Sequence, residues 1–355
     1  MVKSHNSAEC AIVPALRLEP HAAAVPRNPG LMDARLDALE HWLARQLGGV
    51  ACQLAPASED ASFRRYFRVA SDDGATLIAM DAPPDKEDCR PFVHVARLLR
   101  EAGVHAPEVR AQDLTQGFLL LTDLGTRTYL QEISPANAPQ LFADATDALI
   151  RWQLATKPAE LPPYDEALLR REMRLFPDWY VARHLGVELQ REQQERMEQV
   201  FALLVKSALA QPKVYVHRDY MPRNLMLSNP NPGVLDFQDA VIGPIAYDMV
   251  SLMRDAFLSW DEESVLDWSV RYWEKARAAD LPVDADFGEF WRAFEWMGLQ
   301  RHLKVLGIFA RINYRDGKPK YLADTPRFVH YARDVAKRYS ALAPLIRLLD
   351  ELKCG

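Results

Sequence analysis

The chain has 355 residues, 49% hydrophobic and 26% charged, a composition that is typical of globular proteins and argues against a mostly disordered chain or a fibre. Its 43 basic and 49 acidic residues give a net charge of −6, which provides no electrostatic case for binding nucleic acid or coating an anionic membrane. No apolar run reaches the roughly 18 residues that a membrane-spanning helix needs.

At roughly 100–200 residues per domain, the length predicts two domains or one bilobal unit. The four cysteines, Cys10, Cys52, Cys89 and Cys354, lie far apart and include no C-x-x-C pair. This spacing fits neither a zinc ribbon nor a disulfide framework, so we expect a reducing, cytoplasmic environment.

The first 31 residues differ from the rest of the chain because they are rich in proline and small residues. Glu9 and Pro14 interrupt the one candidate apolar stretch, so a signal peptide is not predicted. The proline content favours a flexible leader over residues 1–31, which is either native or a misassigned start before Met32.

Helix and strand signals alternate in the next part of the chain. Leucines at helical spacing follow a candidate N-cap, Asp33, and predict a helix that ends at Gly48 and Gly49. The further predictions, in chain order, are strands over 63–71 and 75–83 joined by a turn at 71–74, a helix from residue 89 that ends at Gly103, and a strand pair ending in 117–125.

After Gly125 the sequence becomes mainly helical, over most of 135–211 and 249–350, around a short β-rich segment. The predicted fold class is α+β, with a small mixed lobe and a large, mainly helical lobe. The predicted divisions are a leader (1–31), an N-lobe (32–121), a hinge (122–128), and a C-lobe (129–355) that contains a catalytic hairpin (214–240).

The β-rich segment carries the residues that indicate chemistry. Asp219 and Asn224 follow one short apolar strand, Asp236 ends the next, and a turn over 229–233 folds these strands together. Asn224 and Asp236 are therefore expected to converge, and their oxygens suit Mg²⁺ bound together with nucleotide phosphates. Asp219 is positioned to accept or orient the proton of an attacking hydroxyl, so the pattern favours phosphoryl transfer.

These residues resemble a known family. His217-Arg218-Asp219 with Asn224 is similar to the H-x-D-x-x-x-x-N loop of protein-kinase-like phosphotransferases, and Asp236 begins D-F-Q where they have D-F-G. The run GPIAYDMVSLM resembles the aminoglycoside phosphotransferase and choline kinase branch. Within that branch, FRRYFRV, LIAMDAPP, LLLTDLG and WMGLQRHLKVLGIFARI resemble the bacterial amino-sugar kinases of cell-wall recycling.

The resemblance covers roughly 33–350 and implies a bilobal protein-kinase-like fold. It further implies ATP-dependent phosphorylation of the anomeric C1 hydroxyl of N-acetylmuramate, N-acetylglucosamine or both, in peptidoglycan recycling. Mg²⁺ would be the cofactor and ATP the co-substrate. A monomer is expected, with neither nucleic acid nor a membrane as partner.

The resemblance also implies roles for residues near the reaction. Asp219 would be the catalytic base, and Asn224 and Asp236 the metal ligands. Backbone groups of Thr122 and Leu124, in the hinge, would bind adenine.

Further roles follow around this centre. His217 is interpreted as a structural loop residue, and Asp248 would support the catalytic loop from a helix. Trp179 is a candidate for the acceptor pocket, although aromatic residues at helical spacing usually belong to the core. Arg301 and His302 are candidates for binding the lactyl carboxylate or the N-acetyl group of the substrate.

Two departures concern the nucleotide site. The segment that should hold a Gly-rich loop has no glycine, so Ser58 and Ser62 are the candidates for phosphate contacts. Met80 stands where the family has its phosphate-binding lysine, and a methionine cannot hold a phosphate. The open alternatives are that metal and backbone suffice, or that another cation substitutes, the candidates being Arg64, Arg65 and Lys86.

Two other functions stay open at this point. The chain could be a kinase of another small alcohol of the aminoglycoside, choline or homoserine type. It could also be a pseudokinase-like binding protein, which Met80 favours and which the retention of Asp219, Asn224 and Asp236 disfavours.

Overall fold

The structure, a computed structural model, describes residues 29–48, 53–59, 63–70 and 76–354. The chain divides into two compact units, residues 1–52 and 53–355. None of the helices in the described ranges is both long enough and apolar enough to cross a membrane.

The first unit contains the helix α1 (Pro29–Gln46). It begins before Asp33, so the prediction of an N-cap at Asp33 is wrong; a proline at the first helical position loses no hydrogen bond and favours an earlier start. The helix ends before Gly48, as predicted, where φ is +73°. The predicted leader overlaps this helix at residues 29–31, and residues 1–28 lie outside the described ranges.

The second unit begins with a five-stranded antiparallel sheet in the order β1-β2-β3-β5-β4. The strands are β1 (Gln53–Glu59), β2 (Arg65–Ala70), β3 (Thr76–Asp81), β4 (Val109–Asp113) and β5 (Phe118–Thr122). The predictions of strands β2 to β5 are confirmed, while the turn at 71–74 lies outside the described residues.

Strand β1 is the one strand of this sheet that the sequence did not predict. It contains Pro56 and lacks a regular apolar alternation. Pro56 is tolerated because β1 is an edge strand and its register with β2 is interrupted between Pro56 and Ser58.

Helix α2 (Arg90–Glu101) connects β3 to β4 and buries an apolar face that includes Phe92, Val95 and Leu99. The Phe92 ring lies 4.8 Å from the Phe237 ring, centre to centre. Because Phe237 follows Asp236, this contact ties the small lobe to the predicted metal site.

The remaining residues form the large lobe, which is mostly helical as predicted. Its α-helices are α3 (Tyr129–Glu132), α4 (Ala138–Leu154), α5 (Glu166–Met173), α6 (Arg191–Ala210), α7 (Tyr247–Met253), α8 (Glu262–Ala278), α9 (Phe287–Asp316), α10 (Thr325–Arg338) and α11 (Ala343–Glu351). A π-helical segment (Phe176–His184) lies against α9.

This contact is very close at Gly307 of α9. A Cβ atom at Gly307 would lie only 2.2 Å from the backbone carbon of Leu175. Glycine is therefore the residue that lets the two segments approach.

The β-rich segment forms two separate two-stranded ladders. Strand β6 (Lys213–Val216) pairs with β9 (Val241–Pro244), and β7 (Leu225–Met226) pairs with β8 (Gly233–Val234). The predicted turn over 229–233 joins β7 to β8, but the apolar strand before Asp219 pairs beyond the predicted hairpin, with β9. The catalytic segment is thus a short hairpin enclosed by a second strand pair.

Candidate active site

The loop after β6 is held by one buried carboxylate. Asp248, in α7, accepts hydrogen bonds from the backbone N–H of His217 (2.7 Å) and of Arg218 (3.0 Å). Burial raises the pKa of Asp248 to about 7, while these two backbone donors act in the opposite direction. Arg218 has a φ of +76°, an unfavourable conformation for a non-glycine residue that these bonds help to maintain. Asp248 therefore fixes the backbone of the loop after β6.

His217 is fully buried behind the same loop. Burial lowers the pKa of its imidazole to about 4, so the ring is neutral near pH 7. Its Nε2 lies 3.0 Å from the Leu235 carbonyl oxygen, and its Nδ1 lies 3.3 Å from the backbone N–H of Asp219. A neutral ring with the proton on Nε2 satisfies both contacts, because Nε2 donates and Nδ1 accepts. The ring therefore connects two loops of the site.

Asp219 presents a half-buried side chain at the surface of this loop. Its backbone carbonyl accepts the Asn224 side-chain amide at 2.9 Å. Within the described residues, its carboxylate takes part in no hydrogen bond or ion pair. The group is therefore available to an incoming hydroxyl.

Asn224 and Asp236 converge, as the sequence predicted. The Asn224 Nδ2 atom lies 3.3 Å from Oδ2 of Asp236. Asp236 has a φ of +63°, and Gln238 donates to its Oδ1 at 2.9 Å. The Asp236 side chain remains 39% exposed. The Asp236 carboxylate and the Asn224 amide therefore lie side by side, where both can contact a bound ligand.

These two side chains fit a Mg²⁺ site in which the protein supplies only two ligands. No group of three or more His, Cys, Asp or Glu side chains in the described ranges could hold a metal by itself. Mg²⁺ usually takes one or two protein oxygens and completes its shell with water and substrate phosphates. The pair of Asn224 and Asp236 matches this demand.

The predicted hinge is fixed by an ion pair between Arg68 of β2 and Asp123, with 2.6 Å between Nε and Oδ2. The N–H of Thr122 donates to the Glu108 carbonyl at 3.0 Å, so it serves the sheet. Leu124 is buried, and its backbone groups form no hydrogen bond with other described residues. Of the two predicted hinge residues, Leu124 is the one whose backbone groups have no hydrogen-bond partner among the described residues.

Two serines, Ser58 and Ser62, are predicted to contact phosphates. Ser58 is near the end of β1, paired with Tyr66 of β2, and Ser62 lies outside the described residues. Both assignments stay predictions.

The three candidate cations differ sharply in their surroundings. Met80 is only 1% exposed and belongs to the core. Arg65 is paired with the fully buried Asp81, and Lys86 is an exposed residue 3.5 Å from Asp85. Arg64 extends its Nη2 to 4.0 Å from Oδ1 of Asp236. Arg64 is therefore the candidate that reaches Asp236, one of the two predicted metal ligands.

The three residues predicted to bind the acceptor lie in the large lobe. Trp179 is half-buried in the π-helical segment and packs against the core. Arg301 and His302 are both buried in α9, and burial lowers the pKa of His302 well below its ordinary value. No hydrogen bond or ion pair among the described residues joins any of the three to Asp219, so these assignments stay predictions.

A buried charge network beside the loop was missed by the sequence analysis. The carboxylate of Glu172, in α5, accepts from Arg218 at 2.5 Å, from Lys304 at 3.0 Å and from the Tyr164 hydroxyl. Lys304 also donates to the Tyr247 hydroxyl at 3.0 Å. The network ties the loop after β6 to α5 and α9. No sequence signal identifies it, because its members are far apart in the chain.

The sequence is similar to those of known phosphotransferases. A sequence profile of the phosphotransferase enzyme family matches residues 53–287. An N-acetylmuramate/N-acetylglucosamine kinase of Pseudomonas aeruginosa is 56% identical over 91% of this chain and 98% of its own length. A protein of the same name from Neisseria meningitidis is 51% identical over 88% of this chain and 95% of its own length.

Solved structures with low sequence identity share the fold. An ADP-bound aminoglycoside phosphotransferase, APH(2'')-Ib, aligns with a TM-score of 0.56 at 14% identity, covering 84% of this chain and 98% of its own. An ethanolamine kinase of Plasmodium vivax aligns with a TM-score of 0.60 at 10% identity, covering 88% and 91%. These likenesses confirm the predicted bilobal α+β fold of the protein-kinase-like class.

Proposed function

Because the chain belongs to the phosphotransferase enzyme family, we propose that it uses Mg²⁺ and ATP to phosphorylate the anomeric C1 hydroxyl of N-acetylmuramate, N-acetylglucosamine or both. The chain is a phosphotransferase that acts on an alcohol group. The observation that carries the choice of substrate is the identity of 51–56% with the amino-sugar kinases over most of both chains.

The proposed chemistry begins with Asp219. Its carboxylate accepts a hydrogen bond from the C1 hydroxyl and takes the proton as the hydroxyl oxygen attacks the γ-phosphorus of ATP. The bond from that phosphorus to the β–γ bridging oxygen breaks, and ADP leaves. Since the transition state of phosphoryl transfer is loose, orientation of the hydroxyl matters more than its full deprotonation.

Asn224 and Asp236 are the proposed ligands of Mg²⁺. When bound, the ion neutralises charge that develops on the transferred phosphoryl group and on the leaving ADP. Gln238, which donates to the Asp236 carboxylate, orients this ligand.

We assign the adenine contact to the backbone groups of Leu124 in the hinge, which have no hydrogen-bond partner in the described part of the chain, since the N–H of Thr122 is engaged in the sheet. Ser58 and Ser62 are proposed to contact phosphates. ATP as co-substrate supports a cytoplasmic location, and the buried free thiols of Cys89 and Cys354 agree with a reducing environment.

For the acceptor, Trp179 is our candidate for stacking on the sugar ring because its ring is half-buried. Arg301 and His302 are buried, so we assign them to the inner wall of the pocket. The enzyme would supply sugar 1-phosphates during peptidoglycan recycling.

The test is a panel of acceptors in an assay of ADP release with Mg²⁺ and ATP. N-acetylmuramate and N-acetylglucosamine are expected to support turnover, and an aminoglycoside, choline and homoserine are expected to fail. Preferred turnover of one of the latter would reject the proposed substrate class.

A further inference from the structure

We propose that Arg64 is the cation that binds the ATP phosphates in this protein. The inference rests on the proposed function in one respect, namely that the cleft binds Mg-ATP. Met80 stands where the family has its phosphate-binding lysine, and Arg64 would take over the role of that lysine.

The electrostatics of the site require such a cation. A triphosphate adds several negative charges next to the carboxylates of Asp219 and Asp236. A bound Mg²⁺ offsets two of them, and unpaired like charges at these distances repel strongly in a partly buried cleft. A basic side chain near Asp236 is therefore needed to stabilise the bound nucleotide.

Arg64 has the required position. It lies directly before β2, and its side chain is 10% exposed. Its Nη2 lies 4.0 Å from Oδ1 of Asp236, so the guanidinium extends from the small lobe to this predicted metal ligand. A separation of 4.0 Å is the outer limit of an ion pair. A phosphate bound beside Asp236 would therefore lie within reach of the guanidinium.

The chemistry of the side chain also fits. A guanidinium presents a planar fork of N–H donors that matches two phosphate oxygens and remains charged at any physiological pH.

The other candidates are excluded by their surroundings. Met80 has no charge and is buried in the core. Arg65 donates to the fully buried Asp81 (2.9 Å from Nε), and moving it would break an ion pair of that buried carboxylate. Lys86 is half exposed beside Asp85, and no contact joins it to Asp236 among the described residues.

Nucleotide titration without an acceptor tests the assignment. Isothermal calorimetry would compare Mg-ATP and adenosine binding in the native protein and in Arg64→Gln. Loss of charged hydrogen bonds is expected to weaken Mg-ATP about tenfold to a hundredfold. Adenosine, which has no phosphates, is expected to bind equally to both. Arg64→Lys should recover part of the lost affinity because it restores the charge without the fork.

Lys86→Gln is the matched control and should leave Mg-ATP affinity unchanged. Unchanged affinity in Arg64→Gln, or a larger loss in Lys86→Gln, would overturn the assignment. An equal loss of adenosine and ATP affinity in Arg64→Gln would also overturn it, because the residue would then act only through the structure of the site.

The acceptor assay separates this inference from the proposed function. A native protein that binds Mg-ATP but phosphorylates no amino sugar would reject the proposed substrate and leave the Arg64 titration decisive. Turnover of N-acetylmuramate by the native protein, combined with unchanged Mg-ATP affinity in Arg64→Gln, would reject the Arg64 assignment alone.

Discussion

The guanidinium of Arg218 forms an ion pair of 2.5 Å with the carboxylate of Glu172, and both side chains lie largely inside the protein. Arg218 directly precedes the proposed base Asp219, whereas Glu172 belongs to helix α5. The pair therefore links the stability of the large lobe to the position of the catalytic loop.

Replacing Glu172 should destabilise the protein strongly. Glu172→Gln leaves Arg218 and Lys304 buried without their counter-ion, which typically costs about 3–5 kcal/mol in the free energy of unfolding. Chemical denaturation measures it. Glu166→Gln, which removes an exposed pair with Arg170, is the control and should cost less than about 1 kcal/mol. A loss from Glu172→Gln no larger than the control would contradict the role of the network.

The same residue predicts a dependence of stability on pH. Burial acts to raise the pKa of Glu172, but Lys304 and Arg218 outweigh it and lower the pKa from 4.5 to about 2. The folded protein therefore holds the ionised carboxylate more strongly than the unfolded chain does. Its contribution is complete above pH 4.5 and is lost as the pH falls from 4.5 towards 2. Thermal melts should show that the native protein loses more stability over this interval than Glu172→Gln does; equal losses would refute the assignment.

Asp219→Asn should abolish most turnover and spare the fold. The amide cannot accept the hydroxyl proton, and loss of a general base typically lowers kcat by about 10²–10⁴-fold. Mg-ATP affinity and the melting temperature should remain close to native values because the carboxylate has no partner among the described residues. Asp267→Asn, on the exposed face of α8, should have native kcat. A native kcat in Asp219→Asn would remove the base from this position.

Asp236→Asn should weaken the use of metal. Loss of the charged ligand is expected to raise the Mg²⁺ concentration for half-maximal turnover about tenfold or more. Removal of Mg²⁺ with a chelator should stop turnover, and its addition should restore it. Asp239→Asn, an exposed neighbour, should keep the native Mg²⁺ dependence. Equal Mg²⁺ curves for the native protein and Asp236→Asn would place the metal elsewhere.

Two glycines in α9 should respond oppositely to alanine. At Gly307 a Cβ atom would lie 2.2 Å from the Leu175 backbone, so Gly307→Ala must separate the two segments and should destabilise the protein by about 1–3 kcal/mol or more. At Gly298 the nearest atom, a Val250 methyl carbon, would lie at 3.4 Å. Gly298→Ala should be neutral or stabilising by up to about 1 kcal/mol, because alanine favours the helix. Denaturation of both variants would check this, and equal effects would contradict the close contact.

The fold was predictable where local patterns decide it. The strands from Arg65 to Thr122 have apolar runs bounded by turn residues, and the long helices have apolar faces at helical spacing. Strand β1 was missed because Pro56 breaks its pattern and pairing with β2 determines its structure. The partner of β6 was also misjudged, since pairing between distant strands depends on packing that no local signal records.

The site was predictable to the extent that its residues lie at the ends of neighbouring strands. Asn224 and Asp236 meet because a short turn brings β7 and β8 together. The pairing of Arg218 with Glu172 was not predictable, because any of many charged residues could be its partner. The choice among Arg64, Arg65 and Lys86 likewise required coordinates, since all three have the right charge.

The most direct measurement is the position of the phosphate in the product formed from N-acetylmuramate, ATP and Mg²⁺. Correlated ³¹P and ¹H NMR would identify the carbon that carries it. We predict coupling of the phosphorus to the anomeric proton and rapid loss of that phosphate in acid. Coupling to the protons at C6 or at another ring carbon would contradict the proposal, as would ADP release without any phosphorylated sugar.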